Sequence, residues 1–176
     1  MVSFLAPIIA RVVGSAAGVG ASIAFACDLV VASRRSFFLL PFTGNGLLPD
    51  GGATLTVAAS IGRARALRLA LLRERLTAPA AFDAGLIATV CEESEIDRLV
   101  RDWAAQLAGG ATTALSRTKA AINSSTLGGL AAALHRETEE QLPLLVSADH
   151  REGVKAFFEH RPPEFAHDPT HDGRRP

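Results

Sequence analysis

Residues 7–54 leave this chain few folds to choose from. Two apolar stretches there flank a glycine-rich turn and a helix of small residues. Ile8, Ile9, Val12 and Val13 give the first stretch the β-branched character of a strand. Gly14-Ser15-Ala16-Ala17-Gly18-Val19-Gly20 then reads as a turn, and residues 21–27 as a short buried helix whose one polar side chain is Ser22. Residues 28–32 return as a second strand. Strand, turn, helix, strand is a βαβ unit, which implies an α/β fold with a mostly parallel sheet. Glycines ahead of a helix let backbone amides approach a ligand oxygen, and the helix N-terminus favours negative charge there. A tight turn with no ligand would use the same glycines.

Neither common nucleotide loop fits. Gly18-Val19-Gly20-Ala21-Ser22-Ile23 lacks the last glycine of the dinucleotide pattern, and no lysine precedes Lys119 to make a P-loop. A second glycine cluster, Gly46-Leu47-Leu48-Pro49-Asp50-Gly51-Gly52, surrounds an acid and opens the next helix. Asp50 has two readings there: a carboxylate on a tight turn facing an apolar pocket, or an N-cap for a helix beginning at Gly51. No Gly-x-Ser-x-Gly elbow is present, and the chain contains no tyrosine.

A length of 176 residues suffices for one domain with its own core, and 48% hydrophobic against 20% charged residues argues against disorder. Eighteen basic and 18 acidic side chains cancel, leaving no surplus to bind nucleic acid. Cys27 and Cys91 have no Cys-x-x-Cys spacing and read as reduced core thiols, which points to the cytoplasm. No membrane span is expected, and the first residues, interrupted by Arg11, read as fold and not as a signal peptide. His167, Asp168, His171 and Asp172 sit on a tail without apolar anchors, so they read as solvated and no metal site is expected. His135, His150 and His160 read as surface residues.

Further along, residues 37–40 read as a strand ending at Pro41, and residues 44–46 as a turn. Helices are expected over residues 53–60 and 63–73, then from a Thr77 cap with Pro79 in its first turn. A short strand over 86–90 precedes a helix over 95–108, capped by Ser94. The last helices are expected over 112–123, 129–142 and 147–161, with Pro143 bending or breaking the second of these.

These motifs, in this order, resemble the crotonase superfamily of enoyl-CoA hydratases and isomerases. The resemblance rests on the 14–20 turn with Cys27-Asp28, on Phe38-Leu39-Leu40-Pro41, and on the 46–52 cluster. It continues through Gly62-Arg63-Ala64-Arg65-Ala66 and the segment from Leu76-Thr77-Ala78-Pro79 to Gly85-Leu86. Asp149-His150-Arg151-Glu152-Gly153 and Ala156-Phe157-Phe158-Glu159-His160-Arg161 close it. It implies a crotonase-like (ClpP/crotonase) α/β fold, a spiral of ββα units with C-terminal helices used for trimerisation. Only the later part of the family's domain is expected, truncated at its N-terminal side. The implied division is a partial core over residues 1–110, a helical region over 111–165 and a flexible tail over 166–176.

The resemblance also implies chemistry. The family binds an acyl-CoA thioester and holds its carbonyl oxygen on two backbone amides. One amide belongs by resemblance to Val19, between the substrate-contacting Gly18 and Gly20; the other comes from a loop that precedes this block in the family. Hydratases of the family carry two glutamates where this chain has Ser22 and Phe42. Neither of these can exchange a proton, so hydration by a glutamate pair is disfavoured. Several isomerases place their acid in the Gly-x-x-x-Asp/Glu-Gly segment, which Asp50 matches. A partly desolvated carboxylate is a stronger base than one in water, and one carboxylate can serve two carbons if it reaches both. Asp28 resembles a structural aspartate of the family. Phe157, Phe158 and Phe165 are expected to pack the last helix onto the body, and by resemblance Phe157 helps close the acyl-CoA site. The resemblance implies no cofactor beyond the coenzyme A of the substrate, and a homotrimer or hexamer. The alternative is a non-catalytic or split remnant that needs a partner chain for the missing first half.

Overall fold

Two small sheets carry the fold, and the chain first passes from one to the other at a glycine. The computed structural model describes residues 1–166. β1 (Ile9–Val12) bends at Gly14, φ +81°, into β2 (Ser15–Ala17), a backbone turn that only glycine makes without strain. β3 (Leu29–Ser33) pairs in parallel with β1, and β4 (Phe37–Leu39) pairs in parallel with β2. β5 (Leu76–Thr77) adds to β4 antiparallel, and β6 (Thr89–Cys91) adds to β3 in parallel. The sheets are therefore β1-β3-β6 and β2-β4-β5. The expected 14–20 turn thus contains a strand. Three small residues carry no alternating pattern, and only pairing with Phe37, Phe38 and Leu39 extends them.

α1 (Val19–Phe25) starts two residues before the expected helix and is buried on one face only. Ala21, Ser22, Ala24 and Phe25 are buried, while Val19 and Ile23 are 51% and 50% exposed. Phe25 and Phe38 pack with ring centroids 5.0 Å apart, and Val12, Val30, Leu40, Val57 and Leu69 complete the core around them. α2 (Ala53–Ile61) and α3 (Arg63–Leu72) follow the expected bounds closely. Thr77 caps α4 (Ala78–Asp83), its Oγ1 accepting from Ala80 N at 3.4 Å.

Ser94 does not cap α5 (Glu93–Ala108). The helix begins one residue before it, with Glu93 and Glu95 in a first turn whose positive end favours acids. α6 (Thr112–Thr126) runs past its expected end, and α7 (Leu130–Leu145) passes through Pro143 without breaking. Pro143 lies near the end of the helix, where its missing N–H forfeits one bond and little helix remains to be disturbed.

α8 (Ala148–Phe158) is capped by Ser147, whose Oγ accepts from His150 N at 3.0 Å. It lies against the 3-10 helix Phe42–Asn45, where His150 Nδ1 meets Asn45 O at 2.8 Å, so His150 is not the free surface residue expected. Phe157 and Phe158 do not pack onto the body either. They are 68% and 75% exposed and meet each other edge to face, centroids 5.7 Å apart. Cys27 and Cys91 are free and only partly buried. Among the described residues no helix is long and apolar enough to cross a membrane, and no group of three or more metal-ligating side chains forms. His167, Asp168, His171 and Asp172 lie outside the described residues.

Candidate active site

The two glycine clusters meet on α1. Gly18 donates to Leu39 O at 3.0 Å, which ties the first turn to β4, and its own carbonyl accepts from Ala21 N and Ser22 N. Val19, the first residue of the helix, has an N–H that bonds no acceptor among the described residues, and Gly20 beside it is exposed. Ser22 lies one turn further on, about 4.5 Å along the helix axis. It is fully buried, and its hydroxyl donates to Gly18 O at 3.4 Å. Gly51 rests against it: a Cβ there would stand 3.0 Å from Ser22 Cβ. Phe42, 6% exposed, closes the other side, with its Cζ 4.0 Å from where a Cβ on Gly18 would be.

The turn that carries Asp50 thus meets α1 at Ser22, one helical turn beyond Val19, while Phe157 lies elsewhere. It borders a separate 420 Å³ cavity with Leu39, Pro41, Asn45, Leu72 and Arg73. None of the described cavities is lined by Val19 or Asp50. The largest, 470 Å³, lies at the far end of α1 and includes Phe25, Cys27, Asp28, Leu115 and Lys119. There Asp28 has the structural role expected: Oδ2 accepts from Ile8 N and Lys119 Nζ, each at 2.7 Å. Burial, and then the Asp28 carboxylate, push the Cys27 thiol above its ordinary value.

Asp50 caps no helix. The N-cap of α2 is Gly52, φ +84°, and Asp50 contributes only a backbone carbonyl, to Ala53 N at 3.3 Å. Its carboxylate is held on one side alone, Oδ2 accepting from Gln141 Nε2 at 3.1 Å. Oδ1 is buried and has no partner among the described residues. Leaving a buried acceptor unpaired costs about 1–3 kcal/mol, more for a charged group, and native proteins rarely carry that cost without a use for it.

The cap that Asp50 does not provide comes from α7. Glu137, 3% exposed, accepts from Gly52 N at 2.7 Å, Thr54 N at 3.1 Å and Thr54 Oγ1 at 2.5 Å. Neither Glu137 nor Gln141 stood out in the sequence. Their four-residue spacing, on one face of a helix otherwise rich in Leu and Ala, was the one local signal. The arrangement offers a free amide for an oxygen that gains charge and a one-sided carboxylate for a proton. The positions of Ser22 and Phe42 hold no ionisable group.

The sequence pattern described as enoyl-CoA hydratase/isomerase matches residues 2–168. A Rhodobacter capsulatus protein named "Probable enoyl-CoA hydratase" is 40% identical over 159 residues, covering 90% of this chain and 62% of that protein. The 1,2-epoxyphenylacetyl-CoA isomerase of Escherichia coli K12 is also 40% identical over 159 residues, covering 90% of this chain and 61% of the isomerase. A crystal structure of an enoyl-CoA hydratase from Mycobacterium avium subsp. paratuberculosis K-10 superposes with a TM-score of 0.91 at 46% identity, covering 94% of this chain and 68% of that one. The fold is therefore that of the crotonase-type enzymes. The chain spans about three fifths of the length of the curated relatives it matches.

Proposed function

The chain belongs to the enoyl-CoA hydratase/isomerase family, and from that premise we propose that it acts on an acyl-CoA thioester, with Asp50 moving a double bond in preference to adding water. The observation that carries the reading is the buried, unpaired Oδ1 of Asp50. With a 3-enoyl-CoA, Asp50 takes a proton from C-2. The electron pair of that C–H bond flows to the thioester oxygen, which the Val19 amide and a second donor hold as it gains charge. The proton returns from Asp50 to C-4 as the double bond settles between C-2 and C-3. No atom is gained or lost, and no cofactor beyond the substrate's own coenzyme A enters.

The test follows conversion of a 3-enoyl-CoA to its conjugated 2-enoyl isomer by absorbance. Asp50→Asn keeps the shape and removes the base, so turnover falls by about 10²–10⁴-fold while the melting temperature holds. Hydration of a short trans-2-enoyl-CoA by the wild type stays slight, because Ser22 and Phe42 offer no acid or base that works near neutral pH. Brisk hydration, or an Asp50→Asn variant that isomerises normally, overturns the reading.

A second reading is a split or non-catalytic subunit completed by a partner chain. It is favoured by the uncharged Ser22 and Phe42 at the positions where hydratases of the family carry glutamates. Binding of CoA esters without turnover, by the chain alone and with its partner, selects it. For either reading the proposed setting is the cytoplasm and the proposed assembly a homotrimer or hexamer. The exposed Leu142, Leu145, Val146, Phe157 and Phe158 on and between the last two helices support an assembly.

A further inference from the structure

α7 reaches the turn that carries Asp50 through hydrogen bonds, not through packing alone. Glu137 and Gln141 lie four residues apart, hence on one face of the helix, and are 3% and 8% exposed. Gln141 has both amide hydrogens and its oxygen engaged. Oε1 accepts from Leu48 N at 3.1 Å, and Nε2 donates to Leu48 O and to Asp50 Oδ2, each at 3.1 Å. Flipping the amide would set its oxygen against two acceptors and its NH₂ against a donor, so the network admits one orientation. Gly52 makes the approach possible: a Cβ there would lie 3.0 Å from Leu130 Cδ1 of α7.

We propose that Gln141 is a positioning residue for Asp50. Its amide, itself anchored to the Leu48 backbone, fixes Oδ2 and thereby leaves Oδ1 as the oxygen presented for proton transfer. Glu137 holds the backbone on the far side of the same turn through Gly52 and Thr54. A neutral amide suits this task, because it orients the carboxylate without the ion pair that a lysine or arginine would form and that would weaken the base. The inference rests on the reading of Asp50 as the base, and it adds residues 85–93 positions away in sequence to the machinery that serves it.

Gln141→Leu, with nearly the same volume and no donor, tests it in the full chain; Gln141→Met is made alongside in case the branched side chain disturbs folding. Misplacing a reacting group by about 1 Å costs about 10²-fold. The kcat for 3-enoyl-CoA isomerisation is therefore expected to fall about 10–100-fold, with KM within about threefold. The isotope effect with substrate deuterated at C-2 should rise, since proton removal becomes the slow step. In an Asp50→Asn background the same substitution should change turnover by less than about twofold, whereas a general loss of structure would repeat there in full. Wild-type kcat and isotope effect in both Gln141 variants overturn the positioning role and leave Asp50 as base. Wild-type turnover in Asp50→Asn overturns the base instead. A crystal structure of a Gln141 variant decides without turnover: Asp50 rotated or spread over several conformers supports the proposal, and Asp50 held in its present rotamer overturns it.

Discussion

Lys119→Met removes the one ammonium that ties α6 to the beginning of the chain. Lys119 Nζ donates to Met1 O and Ala6 O, each at 3.1 Å, and to Asp28 Oδ2 at 2.7 Å, so all three hydrogens are used. The side chains of Lys119 and Asp28 are 7% and 19% exposed. Methionine keeps most of the stem's packing but leaves two carbonyls and a carboxylate with their partner gone. Removing one member of a buried pair costs about 3–5 kcal/mol. Asp28 also accepts from Ile8 N and borders a 470 Å³ cavity that can admit water, so the lower end applies, about 3 kcal/mol. For a chain of this size that lowers Tm by about 6–12 °C. Urea unfolding followed by circular dichroism measures the loss as a shift in midpoint at constant slope. Adding Asp28→Asn, which removes the stranded charge and keeps an acceptor for Ile8 N, should restore about 1 kcal/mol or more. A single variant that loses less than about 0.5 kcal/mol, or a double variant less stable than the single, would refute the buried-pair account.

Gly153→Ala should cost about 1–3 kcal/mol although alanine is the better helix former, because its Cβ would stand 2.6 Å and 2.8 Å from Asn45 backbone atoms that no rotamer change can move. A thermal melt equal to the wild type's would show that α8 does not sit this close. Glu152 is held at about 2, against its usual 4.5, first by the Arg161 side chain and then by the Glu164 amide, with the Arg161 guanidinium correspondingly raised. A depressed folded value means that the contribution is complete above about pH 4.5 and is lost as pH falls through about 2. Proteolysis or hydrogen exchange of residues 159–166 should rise across that window in the wild type, while Glu152→Gln shows the weakened state at neutral pH; matching acid profiles would count against the clasp.

The sequence by itself determined the order β1, glycine turn, α1, β3, because strand residues, small helical residues and glycines each leave a local trace. Thr77 was legible as a cap for the same reason: a cap binds an amide three residues away in the same chain segment. The sequence also marked Asp50 and Val19, by motif, without deciding between base and cap for the first. Tertiary structure removed the cap, since the N-cap of α2 is Gly52. Glu137, 85 residues distant, satisfies the amide of Gly52, and Asp50 is left with one bond, from Gln141, 91 residues away. Tertiary structure also made Ser15–Ala17 a strand, since three small residues extend only when a partner strand takes their hydrogen bonds. It left Phe157 and Phe158 largely exposed and edge to face against each other, where their apolar side chains argued for burial. Elements follow from the side chains within a turn or two of each residue; the fate of a carboxylate follows from which donors the completed fold brings within hydrogen-bonding distance of it, and those donors leave no mark on the local sequence.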